Sequence, residues 1–395
     1  MITHRELFLR HVAQTSESPL GLEIESAKGV YLYTPSGQRI FDLISGVSVS
    51  NVGHSNPAVL EAVNQQLQKY MHLMVYGDVI QAPQVKLAQL LVAQLPDNLQ
   101  NVYFVNSGSE AVEGAMKLAK RYTGRHGIIS FVNAYHGSTQ GALSVMGNEE
   151  PKRAYRPLLP GVKHINFNSL EELNQITEDT ACVIIEPIQG EAGILVSTEE
   201  FLTALRDRCT KMGALLIFDE IQSGMGRTGK LFAFQRLGVI PDILLTAKAF
   251  GGGLPLGAFV SSTEIMRALT ANPPLGHITT FGGHPVSCAA GLASLKIILE
   301  QNLMADISIK EQLFRSLLLK HPKVKAIRSY GLFMAVELGS FDDVLRFTKM
   351  GVEFGYLTDW FLFCDTAFRI SPPLTITNDE IINVCGIIVE ALNRL

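Results

Sequence analysis

The sequence predicts an α/β fold, in which a large domain with a mostly parallel central sheet covered by helices is followed by a smaller α+β domain. Two patterns predict it. Across the middle of the chain, short apolar runs alternate with amphipathic stretches, and strand and helix in alternation imply a parallel sheet covered on both faces. The C-terminal quarter breaks that alternation: one long helical pattern leads into a helix–strand–helix arrangement. A length of 395 residues supports two or three domains. The expected division is an N-terminal segment, 1–50, packing with the small domain, a large domain over 51–283, and a small domain over 284–395.

Taken in order, the first element is GVYLYTPSGQRIFDL, where Pro35-Ser36-Gly37 reads as a hairpin turn. Val102–Val105, Ile128–Val132, Cys182–Ile185, Leu215–Phe218 and Ile243–Leu245 read as short buried strands. Over 110–122, Ala111, Ala115, Leu118, Ala119 and Tyr122 recur at helical spacing. Residues 168–174 and 199–212 read as helices too. In the last part, 284–301 is a long helix and Leu332–Leu338 a strand, with a final helix ending near Ala391.

Composition removes several classes of function. With 33 basic and 37 acidic residues the net charge is −4, against a nucleic-acid binder. Apolar residues make up 47%, against disorder. No run approaches the roughly 18 apolar residues of a membrane span. The opening MITHRELFLR has no apolar core, so no secretory signal is expected. Cys182, Cys209, Cys288, Cys364 and Cys385 form no CxxC pair, which fits reduced thiols in a cytoplasm and argues against a disulfide framework or zinc cluster.

In open α/β sheets, ligands bind beyond the carboxyl ends of the strands. After VYFV comes Asn106-Ser107-Gly108-Ser109-Glu110 and then a helix. Small residues with free N–H groups at a helix start make an anion site, although the same residues also read as a simple N-cap. Glu186 and Glu191 follow CVII, either as buried carboxylates needing partners or in a solvated loop. Asp219 and Glu220 follow LLIF, as a cation site, as a partner for a protonated ring nitrogen, or as a charge facing water. Lys248 follows ILLT, hemmed in by apolar residues and Gly251–Gly253. Burial lowers a lysine pKa and frees a neutral amine for Schiff-base chemistry, whereas a surface lysine would simply snorkel. One ligand uses an anion nest, an aspartate and a lysine together, and that is pyridoxal phosphate: phosphate in the nest, pyridine nitrogen on the aspartate, carbonyl carbon on the lysine.

Gly224-Met225-Gly226-Arg227-Thr228-Gly229-Lys230 satisfies two nucleotide-binding patterns, GxGxxG and GxxxxGK. Neither has its context. Leu231 stands where a P-loop needs Ser or Thr, and four residues separate the strand from the glycines. A nucleotide-binding protein using Gly224–Lys230 is the alternative from a different class.

The ordered motifs NVGHSNP, NSGSEAVEGAMKLAKRYTGR, FVNAYHGST, EPIQGEAG, IFDEIQSGMGRTGKL, LTAKAFGGGLPLGA, TTFGGHP and FRISPPL, with the N-terminal hairpin, run over nearly the whole chain. In these the sequence resembles the class III aminotransferases, of fold type I among pyridoxal-phosphate enzymes, and within them the acetylornithine, ornithine and 4-aminobutyrate branch. The resemblance implies an aminotransferase bound to pyridoxal 5'-phosphate, moving an amino group from an amino donor to a 2-oxo acid such as 2-oxoglutarate. It implies that Lys248 is the cofactor's tether and acid–base group, that Asp219 pairs with the pyridine nitrogen, and that Gln222 bonds the ring hydroxyl. Ser107, Gly108 and Ser109 belong to the phosphate site, Tyr135 and Ile221 to the two ring faces, and His136 and Glu186 to the cofactor's surroundings. Thr280 is expected to reach the phosphate of a neighbouring subunit, making the active unit a homodimer. Arg369 is expected to grip a substrate carboxylate, with Glu191 pairing to it and releasing it.

One departure concerns the donor. The branch typically carries His-Gly-Arg-Thr after the stacking aromatic, and this chain reads His136-Gly137-Ser138-Thr139. Ser138 offers no bidentate cation, and a charge-assisted contact contributes about 1.5–3 kcal/mol. The nearest named activity is acetylornithine/ornithine aminotransferase. The competing expectation within the same chemistry is a 4-aminobutyrate-like, diamine or other ω-amine transaminase.

Overall fold

The computed structural model describes residues 2–395. The strands are, in the N-terminal segment, β1 (Ser26–Lys28), β2 (Tyr31–Tyr33) and β3 (Arg39–Asp42). The middle of the chain contributes β4 (Asn101–Val105), β5 (Gly127–Phe131), β6 (Val162–Ile165), β7 (Thr180–Ile185), the short hairpin β8 (Ile188–Gln189) and β9 (Leu195–Val196), β10 (Leu215–Asp219), β11 (Ile243–Thr246) and β12 (Gly257–Ser261). The C-terminal part contributes β13 (Ala326–Ser329), β14 (Met334–Glu337), β15 (Tyr356–Leu357), β16 (Trp360–Phe361) and β17 (Cys364–Ile370).

The central sheet has the order β4-β12-β11-β10-β7-β5-β6. Only β12 runs against its neighbours. The physical reason is length: residues 247–256 are too few for a crossover helix, so the chain returns antiparallel. Successive residues feed opposite cores, with Val183, Ile185, Leu216 and Phe218 on one face and Cys182, Ile184, Leu215 and Ile217 on the other. That two-sided burial is why these strands read as unbroken apolar runs. The reading missed β6 and β12, whose flanking prolines and glycines disguise them.

Helix Gly108–Thr123 lies on the sheet through Ala111, Ala115, Leu118 and Ala119, and stops at Gly124 in the left-handed region (φ +69°). Helix Glu199–Met212 is capped by Thr198, which accepts the Phe201 N–H. Helix Pro285–Glu300 starts on a proline and buries Cys288, Ala290, Leu295 and Ile298. The expected helix over 168–174 is instead a 3₁₀ turn, Glu171–Gln175. Asn168 bonds Val196 and Thr198, and Glu172 bonds the backbone N–H and side chain of Asn166, so side chains compete with the helix ladder.

The C-terminal part is richer than a helix–strand–helix arrangement. It contains an antiparallel sheet of order β13-β14-β17-β16, packed by helices Ile307–Leu318, Phe341–Phe354 and Asn378–Asn393. Of the three further strands, β13 and β17 interleave apolar residues with Arg328, Asp365 and Arg369, and β16 is only two residues long, which hides them in the sequence. The N-terminal hairpin turns where expected: the Gly37 N–H (φ +82°) donates to the Thr34 carbonyl at 2.9 Å. Its sheet is completed by β15, parallel to β3, so the N-terminal segment packs with the C-terminal part.

Arg227 ties these pieces together. It is fully buried, and its guanidinium donates to the carbonyls of Leu332 and Pro372, to Ser45 Oγ and to Asn51 Oδ1. Burial pulls its pKa down to about 9, against the upward pull of Asp42, so it stays charged at neutral pH. Removing it strands several buried acceptors at about 1–3 kcal/mol each. Arg227→Met is therefore expected to lower stability by roughly 3 kcal/mol or more, read as a fall in the denaturation midpoint. An unchanged midpoint would show that the N-terminal and C-terminal parts are held without it. Among the described residues no helix is long and apolar enough to cross a membrane, and no group of His, Cys, Asp and Glu is arranged to hold a metal ion. All five cysteines are free.

Candidate active site

The carboxyl ends of β4, β7, β10 and β11 converge on a cavity of about 150 Å³. Gly108, Ser109, Tyr135, His136, Gly137, Glu186, Glu191, Asp219, Ile221, Gln222 and Lys248 line it. At one end is the start of helix Gly108–Thr123, where the first-turn N–H groups have no intrahelical acceptor. Ser107 is the N-cap, its Oγ accepting the Glu110 N–H at 3.2 Å, while the Glu110 carboxylate takes Asn106. The backbone here is closely walled. A Cβ on Gly108 would stand 2.8 Å from Ile221 Cδ1, and one on Gly137 (φ +124°) would collide with Ser109.

Asp219 ends β10 with its Oδ2 2.7 Å from His136 Nδ1, both side chains buried. Its Oδ1 accepts the Ile221 N–H at 3.1 Å, so the carboxylate is held from two sides. The next residue, Glu220, turns away and caps the turn at Ala233 and Phe234. Glu186 accepts the Tyr135 N–H at 2.9 Å and the Gly190 N–H at 3.0 Å, joining the two loops that face each other across the cavity. Burial pushes its carboxyl up to about 7, with His136 opposing and Asp219 adding to the rise.

Lys248 opens the 3₁₀ turn after β11 in the left-handed region, at φ +52°. A lysine there is strained by roughly 1–2 kcal/mol, so the surrounding structure dictates it. Burial pulls its pKa below the usual range, Arg369 adds to this, and Glu191, Asp219 and Glu186 pull the other way.

Behind the cavity wall Arg369 is only 2% exposed. Its Nη1 and Nη2 each donate at 3.0 Å to the two oxygens of Glu191, and its Nε donates to Asp359 Oδ1 at 2.9 Å. Gln222 Nε2 reaches Glu191 Oε1 at 3.3 Å. Burial alone would raise the Glu191 pKa, but Arg369 outweighs it and the carboxyl lies below its ordinary value.

Most of the expected residues thus meet, and a few stand apart. Ser107 is engaged as a helix cap, and Arg369 reaches the cavity only past Glu191. Ser138 is exposed, its Oγ 3.3 Å from the Tyr135 hydroxyl. Thr280 is exposed and outside the cavity of its own chain. The sequence reading missed Gly137, Gly190 and Asp359. Gly137 was visible in the HGST motif, whereas Asp359 sits in a segment without any motif. Gly224–Lys230 is no nucleotide loop: its arginine is the buried tie described above, and the Gly226 N–H is bonded to Leu231.

The lining suits a flat, phosphorylated pyridine. Open N–H groups stand at one end, a buried aspartate and an amine at the other, and close glycine-walled sides lie between. The chain matches the family model for aminotransferase class-III over residues 12–392. It is 40% identical to the acetylornithine aminotransferase of Methanocaldococcus jannaschii over 92% of this chain and 91% of that one. Among solved structures it is similar to the ornithine aminotransferase of Toxoplasma gondii ME49 (TM-score 0.90, 27% identity, 98% of this chain and 94% of that chain). It is likewise similar to an ω-transaminase of Pseudomonas jessenii in complex with PMP (TM-score 0.92, 26% identity, 99% and 98%). With strand ends, cavity and sequence in agreement, the chain belongs to the class-III aminotransferases, enzymes that depend on pyridoxal phosphate.

Proposed function

We propose that this chain moves an amino group, a terminal one, from an amino acid or amine to a 2-oxo acid such as 2-oxoglutarate, the nearest named activity being acetylornithine/ornithine aminotransferase. The observation that carries this reading is the convergence of Asp219, Lys248 and the helix start at Gly108 on one cavity, with Arg369 stationed behind Glu191.

Pyridoxal phosphate, when bound, supplies an electron sink for the charge left when a proton leaves the substrate carbon. The rest is the work of this chain. Gly108 and Ser109 hold the phosphate with backbone N–H groups and a hydroxyl. Asp219, oriented by His136, would face the ring nitrogen and favour its protonated form. Tyr135 and Ile221 confine the ring faces, and Gln222 bonds the ring hydroxyl. Lys248 would tether the cofactor and, as a free amine, would hold and move the proton at its Nζ, for which a lowered pKa suits it. Arg369 takes a substrate carboxylate when Glu191 swings away.

The active unit in this reading is a cytoplasmic homodimer. A cleft of about 610 Å³ lined by Val75, Tyr76, Leu275 and Ile278 adjoins the Thr280 loop, and neighbouring Ile80 is 87% exposed. Apolar surface of that extent calls for a cover, and a second copy there would bring Thr280 towards its neighbour's phosphate.

A second reading, an ω-amine or diamine transaminase, draws on one observation: Ser138 and the Tyr135 hydroxyl hold the place of a cation. The visible band of the holoenzyme, titrated with N-acetylornithine, L-ornithine, 4-aminobutyrate, L-lysine and simple diamines, separates the two. Bleaching by N-acetylornithine or ornithine upholds the first reading, and bleaching only by amines without a distal carboxylate upholds the second. Lys248→Ala is expected to abolish covalent attachment. A borohydride-fixed adduct in that variant would place the tether elsewhere. Asp219→Asn is expected to cut turnover by at least about a hundredfold with the fold intact by circular dichroism, since the ring nitrogen loses its counter-charge. Near-normal turnover would refute its role.

A further inference from the structure

The clamp on Arg369 has two carboxylates, and only one of them can be the gate. Glu191 meets the guanidinium edge-on, fork to fork, through Nη1 and Nη2. A bidentate pair of this kind is strong and directional. If Glu191 were the only partner, the flexible arginine would follow it as it swung aside, and the site would lose the fork that a substrate needs. Any arginine left behind would be a buried cation without a counter-charge, which is strongly unfavourable.

Asp359 is placed to prevent both. It immediately precedes β16, which pairs with β17, the strand that carries Arg369. The two residues are fastened twice. The Arg369 backbone N–H donates to the Asp359 carbonyl at 2.9 Å, and Arg369 Nε donates to Asp359 Oδ1 at 2.9 Å. The neighbouring Thr358 hydroxyl donates to the Arg369 carbonyl at 2.5 Å, and the guanidinium carbon sits 4.5 Å from the centre of the Phe361 ring. These contacts come from β16 and the two residues that lead into it, not from the loop that bears Glu191. They use the Nε side and one face of the guanidinium and leave the Nη1–Nη2 edge free.

We propose that Asp359 is a positioning residue, the standing partner that holds Arg369 in place and keeps its Nη1–Nη2 edge aimed at the cavity while Glu191 gives way to a substrate carboxylate. This rests on the reading of Arg369 as the carboxylate clamp. On this proposal the clamp offers one edge, so it takes one carboxylate at a time, and Asp359 acts in the half-reaction that brings a carboxylate to Arg369.

The test uses holoenzyme and follows each half-reaction separately by its visible band. The pyridoxamine form is titrated with 2-oxoglutarate, and the pyridoxal form with a carboxylate-free amine. Asp359→Ala should raise the half-saturating concentration of 2-oxoglutarate by about tenfold or more, the loss of one charge-assisted hydrogen bond. It should move the amine titration by less than about twofold, because that substrate makes no use of the clamp. Asp359→Asn keeps the acceptor oxygen without the charge and should recover part of the loss, which a role in bulk folding would not predict. Should the alanine variant fail to fold, Asp359→Glu is the second probe: it keeps the charge, moves it by one methylene, and should raise the same half-saturation by about threefold. An unchanged value in the alanine variant, or in the glutamate variant where alanine does not fold, overturns the proposal, as does an equal effect on both half-reactions. Arg369→Ala is the control. If it too leaves 2-oxoglutarate binding untouched, the clamp reading itself has failed. If it weakens binding and the Asp359 variants do not, only the role of Asp359 falls.

Discussion

Glu186, Glu191, Asp219 and Glu220 are all less than a tenth exposed at the carboxyl ends of β7 and β10. A carboxylate left unpaired in such a place is costly by several kcal/mol, so each must find a partner or a proton. The structure meets this constraint differently for each one. Glu220 caps a turn, Asp219 takes His136, and Glu191 takes Arg369. Glu186 takes two backbone N–H groups, and burial lifts its pKa towards neutrality. The solutions at Glu186, Glu191 and Asp219 fix loops that wall the cavity, while that at Glu220 fixes the turn behind it. Electrostatic necessity and the shape of the site are therefore one arrangement.

The same constraint explains how separate parts of the chain build a single site. Arg227 crosses from the loop after β10 to carbonyls of the C-terminal part and polar groups of the N-terminal segment. Arg369 crosses the other way, from β17 to Glu191 in the loop between β8 and β9. The two differ in what holds them. Arg227 is held through Nη1 and Nη2 by neutral acceptors, its Nε unpartnered, and ties the parts together. Arg369 is held by charges, one of which sits on a loop, and a charge on a loop can be exchanged for that of a substrate. Lys248 sits between these ties in a strained backbone conformation that only a rigid surround maintains.

On the donor side the arrangement is looser. Ser138 and the Tyr135 hydroxyl are at the exposed rim, and their contact at 3.3 Å is a weak one. A neutral pair at the rim selects less sharply against amines that lack a carboxylate than a cation would. Buried paired charge is concentrated at Arg369, and the rim at Ser138 is where this chain meets the solvent.

How much was legible follows from which signals are local. The buried parallel strands announce themselves because both faces are covered, so Cys182–Ile185 and Leu215–Phe218 carry no polar interruption. Chemistry placed directly after such runs, as at Asp219 and Lys248, could be found without a structure, because strand ends are where an open sheet binds its ligand. The helix start at Gly108 was legible for the same reason. Of the antiparallel strands in the C-terminal part only β14 was, since β13 and β17 mix Arg328, Thr366 and Arg369 with apolar residues and β16 is two residues long. The sequence by itself determined the fold class, the family and most of the residues that line the cavity. Only the tertiary structure decided that Arg227 is a structural tie inside a nucleotide-like glycine pattern, and that Asp359 stands beside Arg369. Those facts depend on contacts between segments distant in the chain or across paired strands, and such contacts leave no periodic trace in a sequence.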